Sequence, residues 1–252
     1  MLHLGSSHML RAAPLPRERI STRERAGIEF IRALVADAFA HARDAHAVKT
    51  RQVTPLVRCG VTKSRDVGRL ARASWHTRSS EHCVPYELMR DGLCANHSQH
   101  EQEYIHALER AECLEELAPG VGIWHLAYKL PPPTSDRDFC ELVACVELPP
   151  HAHPFSAAHE EATLAQPDIL AKPRAPQGDE RRSFLVISQP VEHAASPRHV
   201  RAYYASVEAV SEAQGSQRWV CVAADQHDRA DRLGGLGAAV CAGARDAAAD
   251  CG

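Results

Sequence analysis

Two short polar sets carry side chains able to orient a ligand or move a proton. In WHTRSSEH, residues 75–82, Arg78, Ser80 and His82 fall at every second position. In YASVE, residues 204–208, Tyr204, Ser206 and Glu208 do the same. An extended strand alternates its side chains between two faces, so each set occupies one face if its segment is a strand. Turned into one concave interior, Arg78 and Glu208 would pair and hold the head of a bound molecule. Turned outward, they would make an exposed cross-strand pair worth about 0–1 kcal/mol. The residues alone leave both arrangements open.

Other chemistries find less support. Cys94, His97 and His100 recur every three residues, and His151 and His153 flank an alanine. Zinc sites ordinarily show paired ligands such as CxxC with a matching second pair. No such second pair occurs, so these read as scattered surface side chains. No G-x-S-x-G elbow marks a serine hydrolase. The glycines between Leu233 and Gly237 follow the last expected strand and lack the Lys-Ser/Thr of a phosphate loop. Nothing nominates one of the nine cysteines as a nucleophile. No metal, cofactor or catalytic residue is assigned.

The elements that must position these residues alternate in period. Ser21 and Glu24 have capping-box spacing, and Ile28, Ile31, Leu34, Val35, Ala38 and Phe39 then form one stripe, predicting a helix over 23–46. Residues 49–59 and 75–82 are expected strands, with a polar connection at 62–69. Ser98 and Glu101 make a second capping box. Behind it Tyr104, Ile105, Leu108, Ala111, Leu114 and Leu117 recur at helical spacing, predicting a helix that stops at Pro119-Gly120. A strand over 123–130 places Trp124, Leu126, Tyr128 and Leu130 on one face and His125 on the other. Pro131 to Pro133 must end it, because proline lacks the amide donor a ladder needs. Arg137 and Asp138 open the next strand, 139–148. There Cys140, Leu142, Ala144, Val146 and Leu148 share an apolar face, and Glu141 and Glu147 face water. Further strands are expected at 183–189, 200–210 and 219–224. Residues 1–22 read as a disordered leader and 149–181 as a disordered insertion. From 225 the chain turns glycine-interrupted and its apolar face is thin. Helix, strands, helix, then a run of antiparallel strands is an α+β pattern.

Composition narrows the function classes. At 252 residues and 44% hydrophobic, the chain can bury one sizeable core. A net charge of −3 argues against a dedicated nucleic-acid binder. Charge is unevenly spread: Arg43 to Arg78 holds nine Lys/Arg against two acids, while Glu81 to Ala118 holds nine acids against two Arg. These read either as two solvated faces or, for the basic stretch 43–78, as a weak contact with an anionic membrane surface. An odd cysteine count without CxxC spacing fits reduced thiols, hence a cytoplasmic location. No apolar run approaches the roughly 20 residues of a spanning helix.

Several blocks in order carry a resemblance. WHTRSSEH, NHSQHEQEYI (96–105), the 124–139 segment with its prolines and RDF, RSFLVISQPV (182–191) and VRAYYASVE (200–208) together resemble the fungal START-like family labelled domain of unknown function 3074. The likeness covers about residues 75–224, with 149–181 as an insertion. Its pattern matches Trp75, Arg78, Ser80 and His82; His97, Glu101 and Tyr104; Arg137, Asp138 and Phe139; Ser183 and Phe184; and Arg201, Tyr204, Ser206, Val207 and Glu208.

This resemblance implies a helix-grip fold over residues 23–250, a curved antiparallel sheet around a C-terminal helix, enclosing an apolar cavity for a lipid or similar molecule. It also favours turning Arg78 and Glu208 inward. Trp124, Leu126, Leu142, Ala144 and Val146 are then the expected apolar lining, and Arg78, Ser80, His82, Tyr204, Ser206 and Glu208 the expected polar contacts. After the last strand the family continues with a Gly-Gly and Ile-Pro segment and the gripping helix. Here DQHDRADRLGGLGAAV does not reproduce it, as a shifted reading frame would explain. The leading expectation is a non-catalytic lipid binder or carrier. The rivals are an enzyme using Glu208, His82 or Tyr204 as acid–base groups, and a regulatory module with a degenerate pocket.

Overall fold

The apolar stripe read near the N-terminus becomes helix α1, Arg25–Asp44, with Ile31, Leu34, Val35, Ala38, Phe39 and Ala42 buried. These side chains are what the helix contributes to folding, each on the order of 1.5–3 kcal/mol before ordering costs. The computed structural model describes residues 14–17, 20, 25–44, 50–54, 57–63, 74–82, 85–94, 97–133, 135–196, 204–212 and 219–227. After α1 come strands β2 (Thr50–Thr54), β3 (Val57–Lys63) and β4 (Ser74–His82), known by their backbone pairing, following a two-residue β1 (Leu15–Pro16). Helices α2 (Tyr86–Cys94) and α3 (His97–Tyr104) lead into β5 (Leu108–Ala118), β6 (Val121–Tyr128) and β7 (Arg137–His151). Helix α4 (Ala157–Leu164), β8 (Arg181–Glu192), β9 (Tyr204–Glu212) and β10 (Trp219–His227) complete the order.

The strands form one sheet in the order β2-β3-β4-β10-β9-β8-β7-β6-β5, antiparallel throughout except where β1 pairs parallel with β8. This is the α+β class expected. The last strand inserts between β4 and β9, so the early and late halves of the chain meet at β10. Gly120, at φ 75, makes the β5–β6 turn; a Cβ there would lie 3.1 Å from the Cys145 carbonyl oxygen.

Both faces of the sheet are covered, and this corrects the expectation of a half-solvated strand at 139–148. One face packs on α1: Val121, Ile123, Leu142, Ala144, Val146, Leu185, Ile187, Val207 and Ala209 join its buried side chains in the largest core cluster. The opposite face carries Val143, Phe184, Val186 and Val210 beneath Tyr86, Met89 and Leu93 of α2. Glu141, expected in water, is only 4% exposed on that second face.

Further expectations are corrected. The helix predicted to run to Leu117 ends at Tyr104, and Leu108–Ala118 is a strand paired with β6. Helix α2 forms where the sequence predicts no element. The single strand expected over 49–59 is a hairpin of β2 and β3. Residues 149–181, expected as a disordered insertion, instead carry the end of β7 and helix α4. Ser156 caps α4 by accepting from the His159 amide, and Phe39 packs edge-on against the His159 ring at 5.2 Å. Ile169 and Leu170 extend the same cluster. The expected leader is also partly built in: Leu15 pairs with Val191, and Ile20 is 2% exposed in the core. The predicted gripping helix and the glycine-rich tail beyond His227 lie outside the described residues.

Candidate functional site

Register decides which expected site residues share a face. Directly opposed residues in an antiparallel sheet point the same way. Ala223 of β10 stands opposite Arg78 on one side and Glu208 on the other, so Arg78 and Glu208 occupy one row, two strands apart. That row continues through Val186 to Cys145. Ser80 shares a row with Val210 and Phe184, and Ser206 a row with Ser188 and Val143. All these rows belong to the α2/α3 face. Trp124 and Leu126, opposite Glu141 and Phe139, belong to it too.

Leu142, Ala144 and Val146 do not. They lie on the α1 face at 0–1% exposure, packed in the closed core. The sheet itself separates them from the polar set, so the expected lining was drawn from both faces at once. The acid–base trio of Glu208, His82 and Tyr204 is separated in another way. His82 falls in the row of Glu212, and Tyr204 in the row of Ser74. Eight residues of strand, roughly 27 Å at about 3.4 Å per residue, divide those rows. Glu208 lies in a third row between them, so no two of the three candidates share a row.

What the α2/α3 face does bring together is an ionisable cluster that the expected site contained only through Glu208. His97 and Glu101 lie one turn apart on α3, with Nε2 3.6 Å from Oε1. His97 is 8% exposed, and among the described residues its Nδ1 finds no hydrogen-bond partner. Below them Glu141 hydrogen-bonds Ser188, and Glu208 and Cys145 are near enough to act on His97. Burial, reinforced by the Glu101 charge, pushes the Glu141 carboxyl up to about 8. Burial also raises Glu101, with Glu208 adding to the rise and His97 opposing it. For His97 burial acts downward, but Glu101 and Glu208 outweigh it and its pKa is raised. The signal available in sequence was the i, i+4 spacing of His97 and Glu101. Glu141 gave none, because its strand position looked solvent-facing.

Apolar side chains surround this cluster. Trp124 lies directly opposite Glu141, and its indole nitrogen would sit 3.1 Å from a Cβ at Gly122, so a larger residue there would crowd the ring. Ile105, Leu108, Leu126, Tyr128 and Phe139 pack together at the β5–β7 end. At the other end Arg182 lies 4.5 Å over the Tyr86 ring and pairs with Glu212 and Glu87, clamping α2 to the sheet. Cys94 of the supposed metal trio sits in the α2 interface beside Cys145, whereas His100 is exposed and hydrogen-bonds Glu103 at 3.0 Å. His151 stacks on His159. Among the described residues no group of three or more His, Cys, Asp and Glu is placed to hold a metal ion. No described helix is long and apolar enough to cross a membrane.

Comparison with known proteins follows the same lines. The family model described as "Protein of unknown function (DUF3074)" matches residues 70–232. No curated protein matches the sequence. Among solved structures, the human StarD13 (DLC2) lipid transfer and protein localization domain aligns over 81% of this chain and 89% of its own, with a TM-score of 0.51 at 15% identity. Human StAR-related lipid transfer protein 5 aligns over 79% and 82%, with a TM-score of 0.50 at 12% identity. Human STARD10 aligns over 84% and 70%, with a TM-score of 0.52 at 14% identity. At such identities the likeness is one of fold, and the fold is START-like.

Proposed function

Because the chain belongs to the DUF3074 family and has a START-like fold, we propose that it binds a lipid or other hydrophobic small molecule on the α2/α3 face of its sheet. One observation carries this reading. His97, whose Nδ1 has no partner among the described residues, and the Glu141 carboxyl are buried there, with Glu101 half-buried beside His97 and both carboxyls raised in pKa. Burying polar groups without partners costs about 1–3 kcal/mol each, and a closed core selects against it. A guest that brings an apolar body and a polar head satisfies both parts of the face.

Two further facts support it. Two of the proteins of like fold are a human lipid transfer and protein localization domain and a human StAR-related lipid transfer protein. The opposite face is packed beneath α1 and α4 in the largest core cluster, so the α2/α3 face, with its ionisable groups, is the one proposed to take a guest. The reading is of binding rather than catalysis, because Glu208, His82 and Tyr204, the alternative acid–base candidates, fall in three different rows and no two of them make a pair. Arg78, Ser80 and Tyr204 stand at register positions of the same face and are proposed as further contacts. Transfer between membranes, aided by the basic stretch 43–78 and taking place in the cytoplasm, is the extended form of the proposal.

Native mass spectrometry of the purified full chain tests it. A co-purifying apolar molecule, or stoichiometric rebinding of a fluorescent lipid after delipidation, is the expected result. A protein that emerges empty and takes up none of a broad lipid panel would overturn it.

A further inference from the structure

Two thiols meet at the end of α2 without a part in the proposed binding. Cys94 is the last residue of that helix, and Cys145 lies on the sheet face beneath it, in the row of Val186 and Glu208. Cys145 Sγ donates to the carbonyl oxygen of Leu93, the residue before Cys94, at 3.3 Å. Both side chains pack on one apolar cluster with Tyr86, Val143 and Phe184. The Cys94 thiol in turn donates to the Cys145 sulfur, so the two are direct neighbours. Each keeps partial exposure, whereas Cys140 is buried on the α1 face and the exposed Cys113 belongs to β5.

The pair is asymmetric. Thiolate is the nucleophilic form of cysteine. The hydrogen bond from Cys94, helped by the charge on His97, outweighs burial and Glu208 and holds Cys145 below the ordinary thiol range. That same hydrogen bond, followed by burial, Cys145 and Glu147, keeps Cys94 protonated, with Arg90 opposing. Cys145 is therefore the thiol that reacts first, and Cys94 the one placed to follow.

We propose that Cys145 and Cys94 form an oxidant-responsive dithiol, a modification site at which a peroxide converts the pair to a disulfide that ties the end of α2 to β7. The Cys145 thiolate attacks one peroxide oxygen. The O–O bond breaks, the leaving hydroxide takes up the proton that Cys145 released and departs as water, and Cys145 becomes a sulfenic acid. The thiolate that held the Cys94 proton in place is then gone. Cys94 sulfur attacks Cys145 sulfur, the S–O bond breaks, and hydroxide leaves with the Cys94 proton as a second water. The two thiols lose the two electrons that the peroxide gains. The sulfurs must close from hydrogen-bond contact to a bond of about 2.05 Å, a small movement at a helix terminus. The face proposed to take a guest lies beneath α2, so the tie also slows guest exchange, a consequence that rests on that reading.

Reduced full-length protein, freed of reductant and of lipid, is treated with equimolar hydrogen peroxide, alkylated and cleaved after glutamate. A disulfide between the peptides 88–101 and 142–147 is the expected main product; cleavage after Glu141 separates Cys145 from Cys140. Cys94 and Cys145 left fully alkylatable, or linked chiefly to other cysteines, would overturn the proposal. In Cys94→Ser, dimedone is expected to trap a sulfenic acid at Cys145, while in Cys145→Ser it should leave Cys94 unlabelled. The reverse pattern overturns the assigned order. Hydrogen exchange over 86–94 is expected to slow about tenfold on oxidation, and unchanged exchange with the disulfide present removes the tie on α2. A bound fluorescent lipid should leave the oxidised protein about tenfold more slowly than the reduced one. Equal release rates overturn the effect on the guest, whereas failure of the reduced protein to bind any lipid overturns the earlier proposal and leaves the dithiol standing.

Discussion

Glu101 of α3 and Glu141 of β7 face each other between helix and sheet, and the charge on Glu101 adds to burial in pushing the Glu141 carboxyl up to about 8. The folded state therefore holds a proton on Glu141 that the unfolded chain releases above about 4.5. Wherever the folded state binds more protons, stability falls as pH rises. His159 acts oppositely: burial lowers it to about 4, so its contribution rises with pH between about 4 and 6.5. The two slopes offset each other below pH 6.5; above it Glu141 and His97, whose pKa is also raised, act in the same sense. Stability is expected to decline between pH 6.5 and 8, with Glu141 contributing roughly 1.5 kcal/mol of the fall. Glu141→Gln should flatten the decline in chemical denaturation curves across that range. An identical slope in the variant would contradict the burial of this group.

The split between faces makes a second prediction. Leu142→Ala removes a side chain beneath α1 and is expected to cost about 2–5 kcal/mol by leaving a cavity in the closed core. Because the sheet lies between it and the ionisable cluster, lipid affinity should be unchanged at a temperature where the variant is folded. A change in lipid affinity in Leu142→Ala would mean that the guest occupies the α1 face.

How far the sequence was legible follows from which periods survive folding. Strand alternation in β7 correctly grouped Cys140, Leu142, Ala144, Val146 and Leu148, but period two cannot say that the alternate face is covered as well. Hence Glu141 was sent to solvent. The false helix over 104–117 has a specific cause. Strand β5 shifts register between Leu108 and Arg110, Cys113 and Glu115, and Glu116 and Ala118. Each extra residue displaces the inward side by one, so its less exposed positions, Leu108, Ala111, Leu114 and Leu117, recur every three residues and imitate a helical stripe. Conversely α2 was hidden because Asp91 and Gly92 sit within it. The pairing of Arg78 with the row of Glu208 was visible as two alternating sets, but their common row depends on β10, which comes last in the chain.

That row supports a third prediction. Arg78 and Glu208 stand about 9–10 Å apart at the backbone, two strand spacings, within reach of an arginine and a glutamate side chain. A double-mutant cycle of Arg78→Ala and Glu208→Gln should give a coupling free energy of roughly 1–3 kcal/mol in thermal or denaturant unfolding. Additive losses would show that the two side chains do not meet across Ala223.

A fourth prediction concerns the clamp on α2. Arg182→Ala loses the cation–π contact with Tyr86 and both carboxylate partners. Hydrogen exchange over 86–94 is expected to accelerate about tenfold, equivalent to roughly 1.4 kcal/mol of local opening. Arg182→Lys should restore only part of the protection, because an ammonium cannot both stack on the ring and bridge two acids. If guests enter beneath α2, their release should quicken in the same order. Protection unchanged in Arg182→Ala would remove the clamp from the account.

The two-residue pairing of Leu15 and Pro16 with the end of β8 has a practical corollary. Val191 and Glu192 lie past the stretch of β8 that β9 reaches, so the N-terminal segment supplies their outer neighbour. Arg17 then anchors that segment through Glu115 at 2.5 Å, and Ile20 drops into the oily layer under α1. A recombinant fragment trimmed to begin at residue 23 would bare a raw sheet margin and a greasy notch, and should clump in storage where a version starting before Leu15 stays monodisperse.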